Sequence, residues 1–103
     1  MVNHYHDITV GDVVAGKYHV IRTLGEGSFG KVYQVSDRKS NDMYALKILK
    51  MWDIPAHLHD KLRARFEMEY QTGCIDSPYV VHAYEYGSVN NNPYILMEYC
   101  PNG

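Results

Sequence analysis

The stretch Leu24 to Val32 reads L-G-E-G-S-F-G-K-V. Glycines at Gly25, Gly27 and Gly30 leave a backbone with few side chains in the way, so its N–H groups can approach a phosphate closely. Phe29, at the tip, could shelter such a group from water. The G-x-G-x-x-G pattern alone is a weak sign, because a dinucleotide-binding turn carries the same glycines. That turn needs its last glycine to open a helix, with an acidic residue about 20 positions on to hold a ribose. Here Gly30 opens the alternating stretch K-V-Y-Q-V, and the residue at that distance is Lys50, which has the wrong charge. A plain hairpin that needs flexible glycines is the other reading of the pattern.

A second chemically interesting residue comes from helical periodicity. From His57 to about Thr72 there is neither Pro nor Gly, good helix formers dominate, Pro55 stands just before and Gly73 just after. This predicts the only long helix. At about 100° per residue, with Leu58 at zero, Leu62 falls at about 40°, Phe66 at about 80° and Glu69 at about 20°. A carboxylate therefore sits in the middle of the apolar stripe, while Glu67 points to the opposite face. Burying a charge without a partner is expensive, so Glu69 is expected to meet a cation from elsewhere in the fold. An exposed pair with Arg65, one turn away, is the alternative.

The elements that must position these residues are mostly strands. Alternating or β-rich runs cover Tyr18 to Leu24, Val32 to Val35, Met43 to Leu49, Val80 to Tyr86 and Tyr94 to Tyr99. They are separated by the turn signals Gly25 to Gly30, Ser36 to Asp42 and Gly87 to Pro93. The expectation is an α+β fold, a five-stranded antiparallel sheet with one long helix.

Composition narrows the function classes. The chain has 103 residues, 46% of them apolar and 21% charged, which describes one globular domain at most. Ten Lys plus Arg against twelve Asp plus Glu give a net charge of -2 with no basic run, which argues against nucleic acid or an anionic membrane as partner. No apolar stretch approaches the roughly 18 residues of a membrane span, and M-V-N-H-Y-H-D has neither part of a secretory signal. Cys74 and Cys100 lack nearby Cys or His at ligand spacing, which points to reduced thiols and a cytoplasmic location. His4 and His6, and His57 and His59, have no third ligand at fixed spacing, so no metal site is expected in this segment. The ten tyrosines fall mostly at strand positions and need no role beyond packing.

The extended motif G-x-G-x-x-G-x-V, followed on a later strand by V-A-I-K, is a protein-kinase signature. This chain has Gly25, Gly27, Gly30 and Val32, then Y-A-L-K at Tyr44 to Lys47. From about Lys17 to Gly103 it resembles the amino-terminal lobe of a eukaryotic-type (Hanks-type) protein kinase, and the lead-in G-D-V-V-A-G-K-Y-H-V-I-R-T-L-G resembles bacterial members of the Ser/Thr group. The resemblance implies a boundary with residues 1–16 as an N-terminal extension and residues 17–103 as the lobe, ending at the hinge. It implies ATP and Mg²⁺ as cofactors. Lys47 would contact the α- and β-phosphates and Glu69 would hold Lys47 in place. Gly25, Gly27, Ser28, Phe29 and Gly30 would cover the phosphates, and Leu24, Val32 and Ala45 would form an apolar lid over adenine. Met97 would be the gatekeeper, with Glu98 and Cys100 offering hinge backbone groups to the adenine edge. Two departures bear on where the helix ends: Gly73 stands where the family has a bulky apolar residue, and the following turn reads D-S-P.

The catalytic-loop pattern H-R-D-L-x-x-x-N and the D-F-G of the family do not occur in the chain. The expectation is therefore a fragment of a larger kinase that transfers the γ-phosphoryl group of ATP to protein hydroxyls, Ser/Thr rather than Tyr. The metal ligands and catalytic Asp would lie in the missing lobe, and the fragment itself would be inactive. The alternative is a pseudokinase-like nucleotide- or partner-binding module without catalysis. Expected partners are ATP and the parent's protein substrate, with no nucleic acid, no membrane contact, and self-association through the surface that would face the missing lobe.

Overall fold

Between Met43 and Leu49 the apolar residues fall on both sides of the strand, a pattern that demands cover on both faces. The computed structural model, which describes residues 5–73 and 82–99, supplies that cover. Strands β1 (Val13–Val14), β2 (Tyr18–Glu26), β3 (Gly30–Asp37), β4 (Met43–Leu49), β5 (Ala83–Val89) and β6 (Asn92–Glu98) form one sheet in the order β1-β2-β3-β4-β6-β5. Every neighbouring pair is antiparallel. The helix α1 (His59–Thr72) follows two short 3-10 turns, Met51–Asp53 and Ala56–Leu58, and connects β4 to β5.

Among the described residues the sheet has six strands, which corrects the expectation of five. The additional one is β1. Its two residues are too few to show alternation, and they lie in the segment read from sequence as an extension. It hairpins onto β2 through Ala15 and Gly16, both in the left-handed region (φ 54° and 67°), and the Lys17 N–H closes the turn on the Val14 carbonyl at 3.0 Å. Such a pair of positive φ values matches the right-handed twist of the flanking strands. Val14 is fully buried.

The second hairpin is also tighter than its turn signal suggested. β5 runs on through Val89 and β6 begins at Asn92, so only Asn90 and Asn91 make the turn, with φ of 51° and 69°. Asparagine tolerates this conformation better than other residues with a Cβ. Pro93 sits in β6 before its pairing with β4 begins at Tyr94, where its missing N–H costs no ladder bond on that side.

Alternation sorts the core into two clusters. Leu46, Ile48, Tyr94 and Leu96 point to an outer face, closed by Val14 and by Ile8 from the segment before β1. Ala45, Leu49, Ile95 and Met97 point to the other face and meet Leu62 and Phe66 of α1. Lys47 shares the parity of Ala45 and Leu49 and so projects into the helix side. The helix stops at Gly73, whose left-handed conformation (φ 75°) lets its N–H bond the Glu69 carbonyl at 2.9 Å. The bulky residue usual in the family would be strained there.

Candidate functional site

The turn between β2 and β3 is held from behind. Gly27 donates its N–H to the Gly30 carbonyl and Lys50 donates its N–H to the Phe29 carbonyl, both at 2.8 Å. The Lys50 ammonium, only 6% exposed, lies 2.9 Å from Glu26 Oε2 and 3.6 Å from Asp53 Oδ2. The hydrogen bond to Lys50 lowers the pKa of Glu26 and raises that of Lys50. The Gly25 to Gly30 hairpin is thus tied to the end of β4 by one main-chain bond and one ionic bond.

Lys47 lies in β4 between Val32 of β3 and Ile95 of β6. Its Nζ is 3.1 Å from Glu69 Oε2 and 5.6 Å from the centre of the Phe66 ring. The lysine side chain is 6% exposed and the carboxylate 23%. A buried ammonium is tolerated because its carboxylate is in place, and removing either partner leaves an uncompensated charge. The Lys47 chain passes under Gly30: a Cβ at that glycine would stand 2.9 Å from Lys47 Cε. Gly30 therefore meets a close-approach requirement rather than a need for positive φ.

A cavity of about 520 Å³ opens between the hairpin, β4 and α1. Of the residues singled out from sequence, it brings together Gly25, Gly27, Ser28, Phe29, Gly30, Val32, Lys47 and Glu69. Four others lie elsewhere. Ala45 and Met97 face one another across β4 and β6 and are buried in the helix-side core. Leu24 falls in a bulge of β2, between Thr23 and Gly25, and is 38% exposed. Glu98 ends β6, and its N–H is engaged by the His82 carbonyl at 2.9 Å. Cys100 lies outside the described residues.

The cavity also has walls that were not singled out from sequence as site residues: Glu26, Leu49, Leu62, Arg65 and Phe66. Leu62 and Phe66 belong to the apolar stripe that contains Glu69, and the same periodicity puts Arg65 at about -20°. That signal was present for all three. Glu26 gave none, because its role depends on Lys50 folding back behind the hairpin.

Chemically, the cavity joins the backbone of a glycine-rich turn to a buried ammonium and an apolar wall. That set suits a polyanion carrying an apolar portion. Among the described residues no group of three or more His, Cys, Asp or Glu is placed to hold a metal ion. No helix among them is long and apolar enough to cross a membrane.

Comparison with known proteins adds to this geometry. A family model described as protein kinase domain matches residues 18–103. Flippase kinase 1 of Saccharomyces cerevisiae is 31% identical over 98% of this chain and 11% of its own length. CBL-interacting protein kinase 33 of Oryza sativa subsp. japonica is 37% identical over 85% of this chain and 19% of its own length. Among solved structures, a cysteine-to-alanine variant of the Mycobacterium tuberculosis PknI kinase domain superposes with a TM-score of 0.65 at 28% identity, covering 93% of this chain and 38% of that one. The chain thus spans between about a tenth and a fifth of these curated relatives.

Proposed function

This chain belongs to the protein kinase family, and on that premise we propose that it is the ATP-binding lobe of a protein kinase that phosphorylates serine and threonine hydroxyls. The observation that carries the reading is the Lys47–Glu69 pair, at 3.1 Å, beneath the glycine-rich hairpin. The chain corresponds to the amino-terminal lobe and contains neither a catalytic Asp loop nor D-F-G. Transfer would need both from a second lobe.

ATP fits the residues present on two counts. The ammonium of Lys47 is buried and oriented by Glu69, so it meets a phosphate with little reorganisation. The hairpin, held by Lys50, presents glycine backbone where side chains would keep phosphates away. In this reading Lys47 holds the α- and β-phosphates, Glu69 fixes Lys47, and Gly25 to Gly30 cover the phosphates with Phe29 excluding water. Val32, Ala45 and Leu24 contact the adenine ring, Met97 limits the pocket's depth, and Glu98 and Cys100 offer backbone groups at the hinge. Mg²⁺ neutralises phosphate charge when bound, and its ligands belong to the second lobe. Residues 17–103 are taken as the lobe and residues 1–16 as its extension. The partners of this reading are ATP and a protein substrate, the location is the cytoplasm, and the face toward the second lobe self-associates when that lobe is absent.

The decisive variant is Lys47→Met in a protein that carries this lobe together with a catalytic loop. Phosphate transfer should be abolished while the protein stays folded, with a somewhat lower melting temperature because Glu69 loses its counter-charge, and retained transfer would overturn the assignment. For these 103 residues alone, calorimetry should find weak ATP binding at best, because the adenine has a roof and no floor. A micromolar dissociation constant would contradict that. A catalytic loop found without its Asp in the larger protein would favour the nucleotide-binding module without catalysis.

A further inference from the structure

Helix α1 meets the sheet chiefly along β5 and β6, whereas the glycine-rich hairpin belongs to β2 and β3. A second connection between these two halves runs through residues that precede the family match. Tyr5 packs into the helix-side core, accepts a hydrogen bond from Arg63 Nη2 at 3.1 Å and stands edge-on to the His59 ring at 5.3 Å. Both partners belong to the first turns of α1. Two residues later, Asp7 takes Lys31 Nζ at 2.8 Å and the Tyr33 hydroxyl at 2.6 Å, both from β3, the first of them next to Gly30. Between and beside these anchors, Asn92 Nδ2 donates to the His6 carbonyl at 2.6 Å and Asn90 Nδ2 to the Asp7 carbonyl at 3.3 Å. Ile8 then enters the outer core and is 4% exposed. The segment passes from one face of the sheet to the other around the end where β3 and β6 begin.

We propose that Tyr5 and Asp7 are positioning residues, and that this strap fixes the helix bearing Glu69 relative to the strand bearing the glycine-rich hairpin. Its meaning for function rests on the nucleotide-site reading above. The argument is mechanical. Asp7 is held by two side chains and by the N–H of Ile8 at 2.7 Å, so it cannot follow α1 without dragging β3. Tyr5, only two residues away, cannot follow β3 without pulling on Arg63. Glu69 lies six residues beyond Arg63, about 9 Å along the helix axis, so a tilt at the first turns moves its carboxylate. Charge-assisted hydrogen bonds such as that of Asp7 with Lys31 are the stronger class, which suits a link meant to carry force.

The test uses amide NMR and hydrogen exchange on this chain with Asp7→Asn, Tyr5→Phe and the double variant, each checked for an intact fold by its melting curve. Asp7→Asn should shift the Glu69 and Gly73 amides, which Asp7 does not touch, and Tyr5→Phe should shift those of Gly30 and Lys31. Exchange at these distant amides should quicken by roughly three- to tenfold. The double variant should add little to the larger single effect, since both changes weaken one link. Tyr5→Phe loses the Arg63 hydrogen bond and keeps the ring contacts with His59 and Arg63, so its effect should be the smaller. Perturbations confined to the partners of each altered side chain, and additive in the double, would overturn the proposal. If Asp7→Asn fails to fold, Lys31→Gln releases the same anchor from the other side and is read in the same way. No nucleotide enters the measurement, so failure of the strap and failure of the nucleotide reading are seen separately.

Discussion

Two hairpins of this sheet carry a glycine whose missing Cβ leaves room for a side chain from the neighbouring strand, with opposite consequences. In the β2–β3 hairpin, Gly30 faces the end of the Lys47 chain, and in the β5–β6 hairpin, Gly87 faces the Tyr94 ring; a Cβ would come within 2.9 Å in both. Lys47 is a flexible chain with its charged end at a cavity. Tyr94 is a rigid ring, 3% exposed, whose hydroxyl donates to Glu85 at 2.6 Å; burial, with the hydrogen bond to Glu85, pushes the Tyr94 pKa well above the ordinary tyrosine range. The turns differ likewise. One is a glycine-rich tip tied from behind by Lys50, the other two asparagines in left-handed conformation. The first hairpin leaves its glycine's space to a bendable chain that carries an ion pair, the second to a rigid ring in a packing contact.

The sharpest way to break that contrast is Gly87→Ala. The ring has nowhere to go, so overpacking should cost about 1–3 kcal/mol in chemical denaturation. A loss within experimental error would mean the ring yields and the distinction fails. Gly30→Ala should cost less than about 1 kcal/mol, because the end of a lysine chain can move. Its effect should appear at the Lys47–Glu69 pair, as changed lysine Cε and Nζ resonances, and as reduced transfer in a two-lobed protein. A stability loss equal to that of Gly87→Ala with unchanged lysine resonances would reverse the assignment of roles.

The smallest effect concerns acid. Glu26 has its folded pKa lowered, chiefly by the hydrogen bond from Lys50. Its contribution is therefore present above the ordinary glutamate pKa and lost as pH falls through the lowered folded value. Amide resonances of Gly27 to Phe29 should titrate with a midpoint below that of an exposed glutamate, and Lys50→Gln should return the midpoint to the ordinary value. A midpoint unmoved by Lys50→Gln would remove the ionic tie from the account of the β2–β3 hairpin.

What could be read in the sequence depended on how local each signal was. Strand β4 has the bounds expected, Met43 to Leu49, because a run apolar on both sides between turn residues leaves little choice. The end of α1 followed from Gly73, and the direction of Glu69 followed from 3.6-residue periodicity, which also placed Leu62, Phe66 and Arg65 on that face. β1 had no such signal, since two valines acquire strand character only from pairing with Tyr18 and His19. Glu26 and Asp7 were invisible for a related reason: each takes its partner from across a turn or from a distant strand, and nothing in the neighbouring residues announces a counter-ion. Leu24 sits at a bulge of β2, where the direction of a side chain depends on register across the sheet and not on the neighbouring residues.

The sheet order has a further consequence, for synthesis. Strands β2, β3 and β4 are consecutive neighbours, so the meander that carries the glycine-rich hairpin and Lys47 can close from local contacts as the chain leaves the ribosome. β6 must then return past α1 and β5 to insert beside β4, a loop whose closure is costlier in entropy. Until it does, α1 lacks the β5 and β6 surfaces on which it packs, so Glu69 is not yet held beside Lys47. Docking of the helix and pairing of Lys47 with Glu69 therefore come late in assembly, after the meander that carries the lysine has closed.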